Sequence, residues 1–346
     1  MSLRERIEQM PKAELHVHLE GATDALTVWQ MAGRNGVALP ARSLEEWREF
    51  YRFRSFGHFI EVYRTAAGTM QTLADWALMV ERFLDEQARQ NIRYSEVFIS
   101  CSFQADKLPI DQWLHTLEAA AAAGEKKHGI RMRLIADIAR ELPQTASWVL
   151  EFASKGKQTG LVVGLGLGGP EGGHPPERFA KVYAEARRRG LRVVAHAGET
   201  VGPESIRGAL SALAVERVGH AIRCLEDPQL MDQLRAEQIP LEVCPTSNYR
   251  LGVVDAGTAH PLRQMVDAGL YCTLNSDDPA MFGTDLTSEY LLLAEQGFSW
   301  EELWQLNCNT LQATFLDASE KNILKKQWDG FGGWVETSPQ RLQDDN

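Results

Sequence analysis

The chain has 346 residues, of which 44% are hydrophobic and 24% are charged, with 36 basic and 47 acidic residues and a net charge of −11. This composition is typical of a folded globular protein and excludes extensive disorder. The length allows either two domains or one α/β barrel. We expect no nucleic-acid partner, because binding to phosphates needs clustered positive charge. We expect no membrane partner, because no window reaches the roughly 18 consecutive apolar residues of a membrane span.

The cysteines and the amino-terminal segment predict a cytoplasmic protein. The five cysteines are scattered and none belongs to a CxxC pair, which is typical of buried thiols in a reducing compartment. The opening segment, MSLRERIEQMPKAE, lacks the apolar stretch of a secretory signal and mixes acidic with basic residues, unlike a transit peptide.

Short apolar stretches typical of strands alternate along the chain with longer amphipathic stretches typical of helices. Helical periodicity marks Pro109–Lys127, Pro176–Arg189 and Asp227–Glu237. Eight strands are predicted, at Glu14–Leu19, Tyr94–Ser100, Arg131–Ile138, Leu161–Leu167, Leu191–His196, Arg217–Ala221, Pro240–Cys244 and Leu270–Asn275. Eight buried strands that alternate with helices predict an α/β fold, the parallel (β/α)8 TIM barrel, as one domain over residues 1–346.

The interval between the first two predicted strands is too long for a single helix and is rich in aromatic residues. We predict a helical insertion at about residues 22–90 over the barrel mouth, because the loops that follow the strands emerge on that side. Its aromatic side chains could line a substrate pocket or pack the insertion onto the barrel, and both interpretations stay open.

Reactive residue types collect at the carboxyl ends of predicted strands, where a barrel of this kind carries its active site. His16 and His18 are two residues apart at the end of the first strand, so both face the same side. His196 ends the fifth strand and Asp277 follows the eighth. Three imidazoles and one carboxylate, with a position left for water, are a ligand set typical of catalytic zinc. We therefore expect one divalent metal ion, with Zn²⁺ as the expected identity.

Two further acidic residues lie beside these candidate ligands. Glu199 follows His196 by three residues, beyond Gly198, which lets the chain turn, so we predict a separate acidic group rather than another ligand. Its protonation state stays open, because burial raises the pKa of a carboxyl while a nearby cation lowers it. Asp278 adjoins Asp277 and points in a different direction, so one of the two can hold the metal while the other contacts substrate.

Five segments, in this order, resemble the adenosine deaminase family of metal-dependent hydrolases: PKAELHVHLEGA, VVAHAGE, RVGHAIR, CPTSN and NSDDP. The resemblance extends from Pro11 to about Phe315. It implies a hydrolase that replaces the 6-amino group of a purine by a 6-oxo group and releases ammonia. It also implies one zinc ion held by His16, His18, His196 and Asp277, with Asp277 counted among the catalytic residues as well.

The resemblance assigns roles to individual residues. Glu199 corresponds to the proton donor to ring N1, and His220 to the residue that orients the attacking water and supports its deprotonation. Asp278 corresponds to the group that contacts N7, the backbone amide of Gly169 to the contact with N3, and Glu20 to a residue near the ribose end of the ligand. The substrate-binding residues implied are therefore Glu20, Gly169 and Asp278.

The chain departs from the family pattern on the sugar side. Many relatives have Asp where this chain has Glu20, and the usual form has Asp at Gly166 and an Ala-Gly-Asp-Glu run at residues 168–171. Our main prediction is deamination of an adenosine-like nucleoside, either adenosine or 6-amino-6-deoxyfutalosine, a small-molecule partner. Free adenine is an alternative, because relatives that act on adenine also carry Glu at position 20. Amide or ester hydrolysis on the same barrel is another, and the oligomeric state is not predicted.

Overall fold

The computed structural model describes residues 1–53 and 55–333. In that part of the chain, eight parallel strands lie in chain order: β1 (Lys12–His18), β2 (Ile92–Ile99), β3 (Arg131–Ala139), β4 (Val162–Gly168), β5 (Arg192–Ala197), β6 (Arg217–His220), β7 (Leu241–Val243) and β8 (Cys272–Leu274). Every predicted strand is present, and each end lies within two residues of its predicted position. The predicted TIM barrel is confirmed.

The barrel closes between β8 and β1 through a side chain and a single bridge. Oδ1 of Asn275 accepts a hydrogen bond from the amide of His16 at 3.1 Å. Asp277 bridges to Val17, with its amide 3.0 Å from the carbonyl of His16 and its carbonyl 2.8 Å from the amide of His18. This closure places the predicted ligands of the first strand, His16 and His18, beside Asp277, which follows the last strand.

Sixteen α-helices within residues 1–53 and 55–333 surround and cap the strands. They are α1 (Leu3–Gln9), α2 (Ala25–Asn35), α3 (Leu44–Tyr51), α4 (Phe56–Gly68), α5 (Leu73–Arg89), α6 (Ile110–His128), α7 (Ala146–Thr159), α8 (Ala180–Arg188), α9 (Pro203–Gly208), α10 (Pro228–Glu237), α11 (Pro245–Arg250), α12 (Leu262–Asp267), α13 (Pro279–Phe282), α14 (Leu286–Glu295), α15 (Trp300–Ala313) and α16 (Ala318–Phe331). The three predicted helices correspond to α6, α8 with a preceding 3₁₀ turn, and α10. None of the helices described is long and apolar enough to cross a bilayer.

The predicted helical insertion contains α2, α3, α4 and α5, which occupy different places. Helix α5 packs against α6 and β2, so it forms part of the outer helical layer. Helix α4 carries Phe56, Phe59 and Tyr63 to the barrel mouth, where Phe59 stacks on Phe282 with the ring centroids 5.3 Å apart. Trp47 of α3 is instead fully buried. The aromatic residues of this region therefore both line the pocket and pack the helices.

Candidate metal centre and active site

The four predicted metal ligands meet at the carboxyl end of the barrel. Nε2 of His18 lies 3.1 Å from Nε2 of His196. Oδ1 of Asp277 lies 3.5 Å from Nε2 of His16 and 3.4 Å from Nε2 of His18. In a tetrahedral site with bonds of about 2.0–2.1 Å, the ligand atoms are separated by about 3.4 Å. The four side chains therefore fit a single divalent cation.

Hydrogen bonds behind two of the ligands, His16 and His196, point their other nitrogen atoms toward this centre. Nδ1 of His16 lies 2.8 Å from Oε2 of Glu242, and Nδ1 of His196 lies 3.0 Å from the carbonyl of Leu167. Nε2 of His16 is buried and has no hydrogen-bond partner among the described residues. One nitrogen held by protein and the other left free is the usual arrangement of metal-binding histidines.

Glu242, the hydrogen-bond partner of His16, belongs to a buried network of ion pairs. Arg217 donates hydrogen bonds of 2.6 Å to Glu242 and of 2.6 Å to Glu96, and all three side chains are almost completely buried. Burial raises the pKa of the Glu242 carboxyl, but the charge of Arg217 and the hydrogen bond to His16 outweigh burial and lower it. Glu242 is therefore an anionic acceptor fixed beneath the first ligand.

His220 lies beside the ligand cluster at the end of β6. Its ring centroid is 4.9 Å from that of His16 and 5.3 Å from that of His196. The backbone φ angles of His220, Ala221 and Asp277 are 61°, 55° and 64°, which is the left-handed region that residues other than glycine rarely adopt. Burial lowers the pKa of His220 to about 4, so its imidazole is neutral at neutral pH.

Glu199 lies next to His220 and outside the group of four ligands. Oε1 of Glu199 is 3.9 Å from Nε2 of His220. Burial, reinforced by the carboxylates of Asp277 and Glu171, raises the pKa of Glu199 well above its ordinary value. This shift favours the protonated form of the Glu199 carboxyl.

A carboxylate that the sequence analysis did not assign fixes the turn that carries Glu199. Glu171 accepts hydrogen bonds from the amides of Gly198, Glu199 and Thr200 at 2.9, 3.0 and 2.8 Å. It also accepts one from the hydroxyl of Ser205. Three successive amides held by one carboxylate give this loop a single conformation, so Glu171 positions the Glu199 side chain.

A pocket opens above the metal ligands, and the empty space within it, counted together with the open solvent at its mouth, is about 630 Å³. Its two walls differ. One wall is apolar and comes mainly from α4, with Phe56, Phe59, Ile60, Tyr63, Phe103 and Leu251. The other set of lining residues, called here the polar wall, consists of Asp137, Glu141, Gly169, Glu199 and Asp278.

The three predicted substrate-binding residues lie in or beside this pocket. Gly169 and Asp278 line it. Gly169 has a φ of 86°, and a Cβ atom there would lie 2.5 Å from Oε2 of Glu141, so only glycine fits. The carboxyl of Glu20 is buried and accepts a hydrogen bond from the amide of Ser100, which lines the pocket, at 2.8 Å. Burial raises the pKa of Glu20 to about 7.

The residues that the sequence analysis missed act beside or behind the assigned ones. They are Arg64, Glu96, Asp137, Glu141, Glu171, Arg217 and Glu242. Glu96, Asp137 and Glu242 lie inside predicted strands of a barrel that buries both strand faces. A charged residue within such a strand is itself a signal, because an unpaired carboxyl is costly to bury.

Comparisons with known proteins identify the family of the chain. The model of the family described as Adenosine deaminase matches residues 11–329. An adenine deaminase of Streptomyces coelicolor is 38% identical over 315 residues, covering 90% of this chain and 92% of the relative. An aminodeoxyfutalosine deaminase of Streptomyces avermitilis is 37% identical, covering 95% and 93%.

Solved structures show the same architecture. An adenine deaminase from Arthrobacter aurescens matches with a TM-score of 0.88 and 34% identity, covering 93% of this chain and 99% of that one. An amidohydrolase from Burkholderia ambifaria with bound Zn matches with a TM-score of 0.87 and 26% identity, covering 95% and 93%. Together with the family match over residues 11–329, these similarities show that the chain belongs to the adenosine deaminase family and is a hydrolytic deaminase.

Proposed function

We propose that this protein deaminates a 6-aminopurine and that its substrate is free adenine. The observation that carries the proposal is the meeting of four ligand atoms with the carboxyl of Glu199 and the imidazole of His220 in one pocket. The similarity to adenine deaminases favours this alternative over the adenosine-like nucleosides that the sequence analysis put first.

The ion that we propose for the centre is Zn²⁺, held by His16, His18, His196 and Asp277. These residues would hold a divalent ion, which would lower the pKa of a bound water molecule toward neutrality and so supply the nucleophile. The Zn bound in the Burkholderia ambifaria neighbour supports this identity. Burial lowers the pKa of His18 to about 3, which supports a neutral imidazole available as a ligand.

The protein residues bind the ring and move its protons. Glu199 holds a proton and donates it to ring N1, which makes C6 electrophilic, and its raised pKa supports this role. His220 takes a proton from the attacking water, which its lowered pKa permits because a neutral imidazole can accept one. Asp278 contacts N7 and the amide of Gly169 contacts N3, both from the polar wall of the pocket.

Glu20, which the family resemblance relates to the ribose end of the ligand, is linked by hydrogen bonds to residues that line the pocket. The carboxyl of Glu20 reaches the amide of Ser100, and the hydroxyl of Tyr63 lies 2.8 Å from that of Ser100. Glu20 is longer by one methylene than the Asp of many relatives. We propose that these three residues close the sugar end, which favours a base without a sugar.

Deamination of 6-amino-6-deoxyfutalosine is the second candidate. The relative from Streptomyces avermitilis is almost as similar as the first adenine deaminase. The apolar wall, which includes Phe56 and Phe103, would give a bulky N9 substituent a surface to lie on. Arg64, half-exposed at the mouth and 2.8 Å from Glu141, would be the cation nearest its far end.

A substrate panel tests the proposal. Zinc-loaded protein is mixed with adenine, adenosine and 6-amino-6-deoxyfutalosine, and turnover is followed by the absorbance change of the purine and by ammonia release. We expect the highest kcat/KM with adenine, and Glu199→Gln protein of equal zinc content serves as the inactive control. Highest activity with aminodeoxyfutalosine would support the second candidate, and no turnover of any 6-aminopurine would refute the proposal.

A further inference from the structure

Asp137 carries a buried carboxyl group that lines the pocket, and the proposed mechanism assigns no role to it. It lies near the end of β3 and lines the polar wall, with only 4% of its surface exposed. Its Oδ1 atom is buried and has no hydrogen-bond partner in the described residues. A polar atom buried without a partner costs folding free energy, and such an atom in a ligand pocket indicates a contact made by the ligand.

The neighbouring strand leaves room for this carboxyl. Asp137 lies opposite Gly166 in the β3–β4 register. A Cβ atom at Gly166 would lie 2.5 Å from Oδ1 of Asp137, and one at Gly168 would meet Oδ2 still more closely. Position 166 is also where the usual family sequence carries Asp. The chain therefore has no side chain at position 166 of β4, and the carboxyl of Asp137 on β3 lies in the space that such a side chain would take.

The nearest cationic side chain is engaged elsewhere. Arg140 lies three residues beyond Asp137, and its Nη1 donates a hydrogen bond of 2.8 Å to the carbonyl of His174. Its Nη2 donates to the carbonyl of His196. Burial, with the charges of Glu20 and Glu141, raises the pKa of Asp137 well above its ordinary value, although the nearby His16 and Arg140 oppose this. In either protonation state the carboxyl offers an oxygen that can accept a hydrogen bond.

The position of Asp137 selects one edge of the purine. Gly168, against which Asp137 packs, directly precedes Gly169, whose amide is proposed to contact N3. N3 and N9 are bonded to the same ring carbon, so a group on that side of the N3 contact faces N9, and we take Asp137 to lie on that side. A free 6-aminopurine carries a hydrogen on a ring nitrogen of this edge, whereas a nucleoside carries its sugar there.

We propose that Asp137 is a specificity-determining residue whose carboxyl accepts a hydrogen bond from N9–H of the free base, so that a substituent on N9 abolishes this contact. The inference rests on the proposed function, because it takes the base to lie with N3 at the Gly169 amide. It adds to that function a residue that distinguishes a base from its N9-substituted forms.

The test compares adenine with 9-methyladenine, which lacks only the N9 hydrogen. Asp137→Ala, Asp137→Asn and wild-type protein are prepared with equal zinc content, and Asp232→Ala, which removes an exposed carboxylate from α10, is the control. We expect Asp137→Ala to lower kcat/KM for adenine by about 10- to 100-fold, the effect of losing one buried hydrogen bond. The kcat/KM for 9-methyladenine, or its inhibition constant where turnover is too slow, should change less than about twofold.

Asp137→Asn keeps an acceptor oxygen and should retain adenine activity within about tenfold of wild type. The melting temperature of Asp137→Ala should not fall, because the variant removes an unpartnered polar atom rather than a structural contact. Equal loss with both compounds, a lower melting temperature with no change in selectivity, or unchanged adenine activity would overturn the inference. Zinc-loaded wild-type protein that deaminates no 6-aminopurine would instead refute the proposed function.

Discussion

The metal centre and the polar wall of the pocket are built in opposite ways. At the metal centre the ligands are side chains, and two of them, His16 and His196, have a hydrogen-bond partner behind them. At the wall the shape comes from missing side chains, because Gly166 and Gly168 leave the space that Asp137 fills. The metal centre should therefore be damaged by removing atoms, whereas the wall should also be damaged by adding them at its glycines. The variants below test this contrast.

His16→Ala should have the largest effect. It removes one of four ligand atoms, and three remaining ligands cannot reproduce the site. We expect substoichiometric zinc by elemental analysis and a loss of activity beyond the roughly 10⁴-fold upper scale of a proton-transfer residue. Full zinc occupancy in this variant would contradict the ligand assignment.

Glu199→Gln should keep the metal and lose about 10²- to 10⁴-fold in kcat/KM with every 6-aminopurine. Because the pKa of Glu199 is raised, the donating form persists to higher pH than in an ordinary carboxyl and is lost as the pH rises through that pKa. The wild-type kcat/KM should fall on the alkaline side for this reason. Glu199→Gln should lack this limb, because the amide does not titrate, and wild-type turnover by the variant would disprove the role.

Glu242→Gln should weaken zinc binding by about 10- to 100-fold, the usual effect of losing the partner behind a metal-bound histidine. Competition with a chelator measures this directly, independently of activity. Glu289→Gln is a matched control, since Glu289 is equally buried but contacts Thr246 and Thr284 rather than a ligand. Equal zinc affinities of the two variants would remove Glu242 from the metal centre.

Gly166→Ala should have the smallest effect and the most selective one. The added methyl group would displace the Asp137 carboxyl, so adenine activity should fall by up to about tenfold while zinc content stays the same. Gly172→Ala adds the same methyl group where nothing lies within 4 Å and should behave as wild type. A zinc-depleted Gly166→Ala protein would show that the wall and the metal centre are not separable.

The same contrast explains what could be predicted from the sequence. His16, His18, His196 and Asp277 end strands that the apolar pattern identifies, and parallel strands bring their ends together. Glu171 could not be assigned because it holds a turn that begins 27 residues later in the chain. Asp137 lies opposite Gly166 because the pairing of β3 with β4 shifts in register between residues 134 and 135. A hydrophobic pattern in the sequence does not indicate where such a shift occurs.

The left-handed backbone at His220 and Ala221 has a consequence for how the protein fails under stress. Each such residue costs about 1–3 kcal/mol and persists only while its surroundings hold it. Here the amide of Ala221 is anchored to the carbonyl of Ala197 at 3.1 Å, and that of Arg223 to the carbonyl of Gly198 at 3.1 Å. Mild denaturant should disrupt the backbone at His220 and Ala221 before the helices unfold. Catalysis should therefore be lost at denaturant concentrations that leave the far-ultraviolet circular dichroism spectrum unchanged.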